Sequence, residues 1–321
     1  MMSAGDFQRR SHIGIGCAYL TAGSPTRHDE RLIAAVLDAG ARHFDVAPQY
    51  GLGTAEAVLG RALRGRRDEV TIATKVGILR PQVPAWKLSA RALAAPVRSF
   101  LRARGRVPET TVFGGLRQLD HSPARIVASL EESLRFLRTD RVDLFLLHMP
   151  KRFDVTEEVV SALQAHKKVG KVLAIGLATD RDETALILRD WPNTFDVVQY
   201  SWSALDTQLP SSAGTEPFRI THRAIARALG PISEWYAGDG QRLRRLSETC
   251  GADMANPAIL SQALIGAAMV ANAGGVILVA SRSIARSCQN VRVAMAPETL
   301  RLGRVFLVAL GRETDLPEPR G

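Results

Sequence analysis

Short apolar runs rich in β-branched residues recur along this chain, and between them apolar positions repeat at helical spacing. The runs are HIGIGCA from residue 12, RHFDVA from 42, EVTIATK from 69, RVDLFLLH from 141, VLAIGLAT from 172, FDVVQYSW from 195, PFRIT from 217 and GGVILVA from 274. Eight such runs alternating with helices predict an α/β fold, a closed parallel (β/α)8 TIM barrel. Six or seven would instead permit a doubly wound open sheet.

The intervening segments carry helix signals of their own. Residues 28–39 have helical periodicity and Gly40 to end it. Ser122 is placed to cap a helix with Pro123 at its first position, and an apolar stripe at 126, 127, 130, 134 and 137 predicts the buried face. EEVVSALQAHKKVG ends at Gly170 and leads directly into a strand. Two stretches break the rhythm: 76–121, which holds Pro81, Pro84, Pro96 and Pro108, and 203–217. Both are expected to be elaborated loops at a functional face. No linker or internal repeat divides the chain, so one barrel domain over residues 1–321 is expected. The weakly polar stretch ALIGAAMVANAGGVILVA is broken by Asn272 and a Gly-Gly pair, which reads as a helix end followed by a strand and not as a membrane span.

With 321 residues and 46% hydrophobic content, the chain can bury a large core. No apolar signal core precedes the first run, and Cys17, Cys250 and Cys288 lack metal or redox spacing, so a cytoplasmic setting is expected. The histidines show no HxxxH or HxH arrangement, and no metal site is expected. A net charge of +10 could attract nucleic acid, acidic lipid or a phosphorylated small molecule. The arginines fall in separate clusters such as GRALRGRR and RSFLRARGR, without zinc-finger spacing or interleaved aromatics. They read as solvated faces, so neither nucleic acid nor membrane is an expected partner.

The candidate chemistry lies where runs end. Asp45 closes one strand, Lys75 and His148 close two others, and Tyr50 follows Asp45 in a glycine-rich loop. Barrel enzymes assemble their sites at the C-terminal ends of different strands. A lysine ammonium near a tyrosine favours the phenolate and eases proton transfer, an aspartate orients the lysine, and a histidine aligns a carbonyl oxygen. Such a set suits proton transfer coupled to hydride transfer. After the last run, VASRSIARSCQNV predicts a helix start with Arg282 and Arg286 beside it, a setting for phosphate. No GxGxxG is present, so a dinucleotide would not be held as in the doubly wound fold.

FDVAPQYGLGTAEAVLGRAL, IATKVG, SLEESLRFLRTDRVDLFLLHMP, GKVLAIGLA, FDVVQYSWS and SRSIARSCQNV occur in an order that resembles the aldo-keto reductases, over about residues 12–291. The resemblance implies a barrel that binds a nicotinamide across its C-terminal face, with Asp45, Tyr50, Lys75 and His148 as catalytic residues. It implies Tyr50 as proton donor to a carbonyl oxygen that His148 orients, and Gln199 as a ligand of the carboxamide. It also implies Arg282 at a 2′-phosphate and Asn290 near the adenine. NADP(H) is thus the expected cofactor, with NAD(H) the alternative, and the partner is a small carbonyl or alcohol substrate. Four departures stand out: Arg286 where the family commonly has glutamine, Ala280 at a position often held by glycine, GLATD in place of a Ser-Asn sequence, and no obvious aromatic stacking partner at 217–222. Substrate is expected to enter over loops 76–121 and 203–240, with Trp86 as a possible wall. The alternatives are a cofactor-sensing regulatory protein with little turnover and an NAD-dependent aldose dehydrogenase.

Overall fold

The computed structural model describes residues 12–21, 27–83, 118–206, 216–313 and 315–320. All eight predicted runs are strands: β1 Ile13–Gly16, β2 His43–Asp45, β3 Thr71–Val76, β4 Val142–His148, β5 Val172–Ala178, β6 Val197–Ser201, β7 Phe218–His222 and β8 Val276–Val279. They pair in parallel in chain order, and β8 closes onto β1. The open doubly wound sheet is thereby set aside.

The described helices are α1 His28–Asp38, α2 Ala55–Ala62, α3 Pro123–Leu137, α4 Glu157–Lys168, α5 Arg181–Asp190, α6 Ala224–Ala237, α7 Gly240–Cys250, α8 Pro257–Ala271, α9 Ile284–Met295 and α10 Pro297–Leu310. Ser122 caps α3 as its sequence predicts, accepting the Arg125 N–H at 3.3 Å. The predicted stripe needs one correction: Val127 is 47% exposed, while Ile126, Leu130, Leu134 and Leu137 are buried. One residue is a 100° rotation on a helix, so 127 turns away from the face set by 126, 130 and 137, and Ser129 and Ser133 complete that face instead. The segment 203–240, over which substrate was expected to enter, holds β7, one of the predicted runs, and the whole of α6. The prolines and Trp86 at 84–117, and residues 207–215, lie outside the described residues.

A strand turns alternate side chains to opposite faces. One set, including Leu144, Leu146, Ala174, Val197, Ile220 and Leu278, fills the barrel interior. The other set, including Ile72, Phe145, Ile175 and Val198, meets the helices in the main core. Where the regular alternation lapses between β7 and β8, α6, α7 and α8 build a second apolar layer with α10, centred on Ile232, Leu264 and Phe306. Among the described residues no helix is long and apolar enough to cross a membrane.

The N-terminal ends of the strands are closed by buried carboxylates. Asp143 Oδ2 accepts the Ile72 N–H at 2.8 Å and Arg67 Nη2 at 2.7 Å. Arg67 spends its remaining donors on Thr139, Val70 and Arg141. Asp143→Ala leaves a buried N–H and a half-buried guanidinium without their acceptor. The expected loss is about 3–5 kcal/mol of folding free energy, read by urea denaturation, as for other broken buried pairs.

Candidate active site

The alternation that fills the barrel also aims the polar residues. Asp45 is in register with inward Ala73, Lys75 with inward Leu146, and His148 shares the parity of Leu144 and Leu146. Gln199 shares the parity of Val197, and His222 that of Phe218 and Ile220. Five strands therefore each turn one polar side chain inward toward the same mouth of the barrel.

Tyr50 reaches that mouth from the loop after β2. Its turn, Tyr50–Gly53, depends on Gly51, whose φ is +57° and whose absent Cβ would stand 1.6 Å from the Leu20 carbonyl oxygen. Only glycine lets this loop pass so close to the β1 segment. From behind, buried Glu56 accepts Thr74 Oγ1 at 2.6 Å, and Arg80 ties Glu56 to the Gly53 carbonyl. The tyrosine loop is thus pinned to β3, the strand that carries Lys75.

Lys75 Nζ donates to Asp45 Oδ2 at 2.6 Å, to the Val46 carbonyl at 3.1 Å and toward the Tyr50 hydroxyl at 3.5 Å. The two charged side chains are 1% and 3% exposed. Burial drives the Asp45 carboxyl above its ordinary range, opposed by Lys75 and by a hydrogen bond from Gln199. For Lys75 burial favours the neutral amine, but Asp45 and Tyr50 together outweigh it and hold the amine above its usual value. Lys75 therefore remains an ammonium at neutral pH.

The expected effect on Tyr50 is only half right. Lys75 does pull the phenol toward ionisation, yet burial outweighs it and the net shift is upward. In this site Tyr50 is a protonated hydroxyl with an ammonium behind it. The rings of Tyr50 and His148 stand edge to face, 6.1 Å between centroids and 85° between planes. The His148 carbonyl is tied to His121 Nε2 at 3.1 Å, which anchors that strand end.

Asp45, Tyr50, Lys75 and His148 are thus brought together, with Gln199 beside them. Gln199 Oε1 is buried and lacks a hydrogen-bond partner among the described residues, an acceptor of the kind a nicotinamide carboxamide would satisfy. Arg282 precedes Ser283, the N-cap of α9, and Arg286 and Asn290 lie on that helix. Arg282 and Arg286 are exposed and ion-pair with no described residue, while Ser283 caps α9 through the Arg286 N–H at 3.3 Å. His28 holds the Arg282 carbonyl at 2.8 Å, fixing the loop before the helix. Two residues escape the sequence reading. Gln49 lies 3.0 Å from His148 through Nε2 to Nδ1. His222 supplies a ring at 217–222, where none was expected. Burial, followed by the field of Lys75, lowers its imidazole to about 3. Counting in twos from Phe218 would have found His222; nothing in the sequence pairs Gln49 with a histidine 99 positions away.

Comparison with known proteins shows the family and the fold. The model of the Aldo/keto reductase family matches residues 12–213. The chain is 30% identical over 242 residues to 6-dehydroglucose reductase of Agrobacterium fabrum, 72% of each. It is 37% identical over 153 residues to D-threo-aldose 1-dehydrogenase of a Pseudomonas species, 46% of this chain and 43% of that protein. With several curated relatives the match spans only 43–65% of their length. Among solved structures, glycerol dehydrogenase of Gluconobacter oxydans superposes with a TM-score of 0.67 over 95% of this chain and 94% of that one, at 20% identity. At that identity the likeness speaks for the fold.

Proposed function

Because the chain belongs to the aldo/keto reductase family, we propose that it is an NADP(H)-dependent oxidoreductase. It moves hydride reversibly between a nicotinamide and the carbonyl carbon of a small aldehyde, ketone or sugar-like substrate. The whole chain acts as one barrel unit in a cytoplasmic setting. The observation that carries this reading is the buried Lys75–Asp45 pair with the Tyr50 hydroxyl 3.5 Å from the ammonium.

A reduced nicotinamide supplies the hydride when bound. The chain's own residues handle the proton. The substrate oxygen lies against Tyr50 and His148, which both donate to it. As hydride reaches the carbon, the C=O π bond becomes a C–O bond and the oxygen takes the Tyr50 proton. The resulting phenolate is stabilised by Lys75, whose charge Asp45 holds in place. In reverse, the phenolate removes the alcohol proton. With the cofactor bound, Gln199 would accept from its carboxamide, Arg282 and Arg286 would hold the 2′-phosphate, and Asn290 would lie toward the adenine. Two arginines at a helix N-terminus favour the extra phosphate of NADP(H).

A second reading, an NAD-dependent aldose dehydrogenase, is favoured by the similarity to the Pseudomonas aldose dehydrogenase. It uses the same four residues in the oxidative direction. Both sugar-acting relatives support a hydroxylated substrate.

Two expectations test the reading. Tyr50→Phe keeps the fold and cofactor affinity while slowing single-turnover hydride transfer at least about 10²-fold. Since the reactive form is the protonated phenol and its pKa is raised, the wild-type reductive rate is retained through neutral pH. It falls only above about pH 10, the ordinary value of the phenol. Separately, Arg282→Ala weakens NADPH binding by about 1.5–3 kcal/mol, the worth of a charged hydrogen bond, and NADH binding much less. Calorimetric titration with both cofactors reads the difference, and equal native affinities with equal losses would defeat the NADP(H) assignment while leaving the reductase reading in place.

A further inference from the structure

We infer that Gln49 is the positioning residue that sets the proton on His148. The inference rests on the reading of His148 as a donor to the carbonyl oxygen. A neutral imidazole carries one N–H, and which nitrogen bears it is decided by the partner of the other. Gln49 is 9% exposed, and its amide Nε2 lies 3.0 Å from His148 Nδ1. An amide nitrogen donates and does not accept. Nδ1 therefore accepts, and the ring proton sits on Nε2. A substrate oxygen meeting the other tautomer would face a lone pair and be repelled.

The place of Gln49 in the chain gives this contact its consequence. It immediately precedes Tyr50, and the Tyr50 N–H closes the turn on the Ala47 carbonyl at 3.0 Å. The loop that presents the proton donor therefore also selects the tautomer of the second donor. Both groups that hold the carbonyl oxygen answer to one segment, itself pinned by Gly51 and by the Arg80–Glu56 contact. Among the described residues, the other titratable groups at this mouth are Tyr50 on the loop, Asp45 and Lys75 on β2 and β3, His121 with Asp154 behind the His148 backbone, and His222 at the end of β7. Among these groups Gln49 makes the direct contact to Nδ1.

The variants separate positioning from packing. Gln49→Met keeps similar volume and has nothing to donate. Gln49→Glu can only accept at neutral pH, so it draws the proton to Nδ1. Nitrogen-15 NMR of labelled histidine, with the His148 signal assigned by its loss in His148→Ala, reads the tautomer without any substrate. Wild type is expected to show the Nε2–H form, Gln49→Met a mixture, and Gln49→Glu the Nδ1–H form once its imidazole has lost the second proton. Single-turnover reduction of glyceraldehyde with NADPH gives the second readout. Gln49→Glu is expected to be competent at low pH and to lose at least about tenfold as pH rises through the imidazole titration, the effect of losing one donor to the oxygen. Wild type is flat over that range. An Nδ1–H tautomer in wild type overturns the inference, and so do variants that leave both the His148 signal and the rate profile unchanged. Wild type that shows the Nε2–H form but reduces no carbonyl supports the Gln49 role and sinks the reductase reading.

Discussion

Everything at the mouth of this barrel depends on one buried ion pair, Lys75 with Asp45. Placing two charges where they are 1% and 3% exposed costs several kcal/mol per ion unless each finds partners. Asp45 is satisfied by Lys75 and Gln199, and Lys75 by Asp45 and the Val46 carbonyl. That leaves one direction in which the ammonium still has a donor to give, and Tyr50 stands there. The pair is therefore directional: it fixes where a developing phenolate would be welcome and commits three strands and a loop to that arrangement.

The opposite end of the barrel uses similar chemistry to another purpose. Asp143 with Arg67, and Asp196 with Lys167, each accept a strand N–H as well as a cation. Their capacity goes into backbone groups, and their cations are partly exposed, so they lock strand ends and offer nothing to a ligand. The contrast explains how one closed sheet can be rigid below and chemically open above. Strand parity supplies the inward face at both ends; what differs is whether the backbone or a loop-borne side chain completes the carboxylate's surroundings.

Much of this was legible in the sequence because it follows from local periodicity. Eight apolar runs gave eight strands, and Ser122 with Pro123 marked a helix start correctly. Asp45, Lys75 and His148 could be found since a polar residue closing an apolar run on its inward parity has few structural reasons to be there. Val127 was misjudged because the 100° step past Ile126 carries it beyond the edge of the face that Ile126, Leu130 and Leu137 share with Ser129 and Ser133. The net direction of the Tyr50 shift was not readable either: the pull of Lys75 is visible as a nearby charge, but the opposing burial exists only once the loop has folded over β1 and β3. Gln49 and His148 meet across 99 positions, and no one-dimensional pattern encodes such a contact.

If the ion pair acts through Tyr50, its worth to the reaction vanishes when Tyr50 can no longer carry a proton. A double-mutant cycle of Asp45→Asn and Tyr50→Phe, read by single-turnover hydride transfer with folding checked in each protein, measures this dependence. The expected result is that each substitution alone slows transfer strongly while the double variant is no slower than Tyr50→Phe. Losses that multiply in the double variant would mean that Asp45 and Tyr50 serve the reaction independently, and would contradict the coupling on which this account is built.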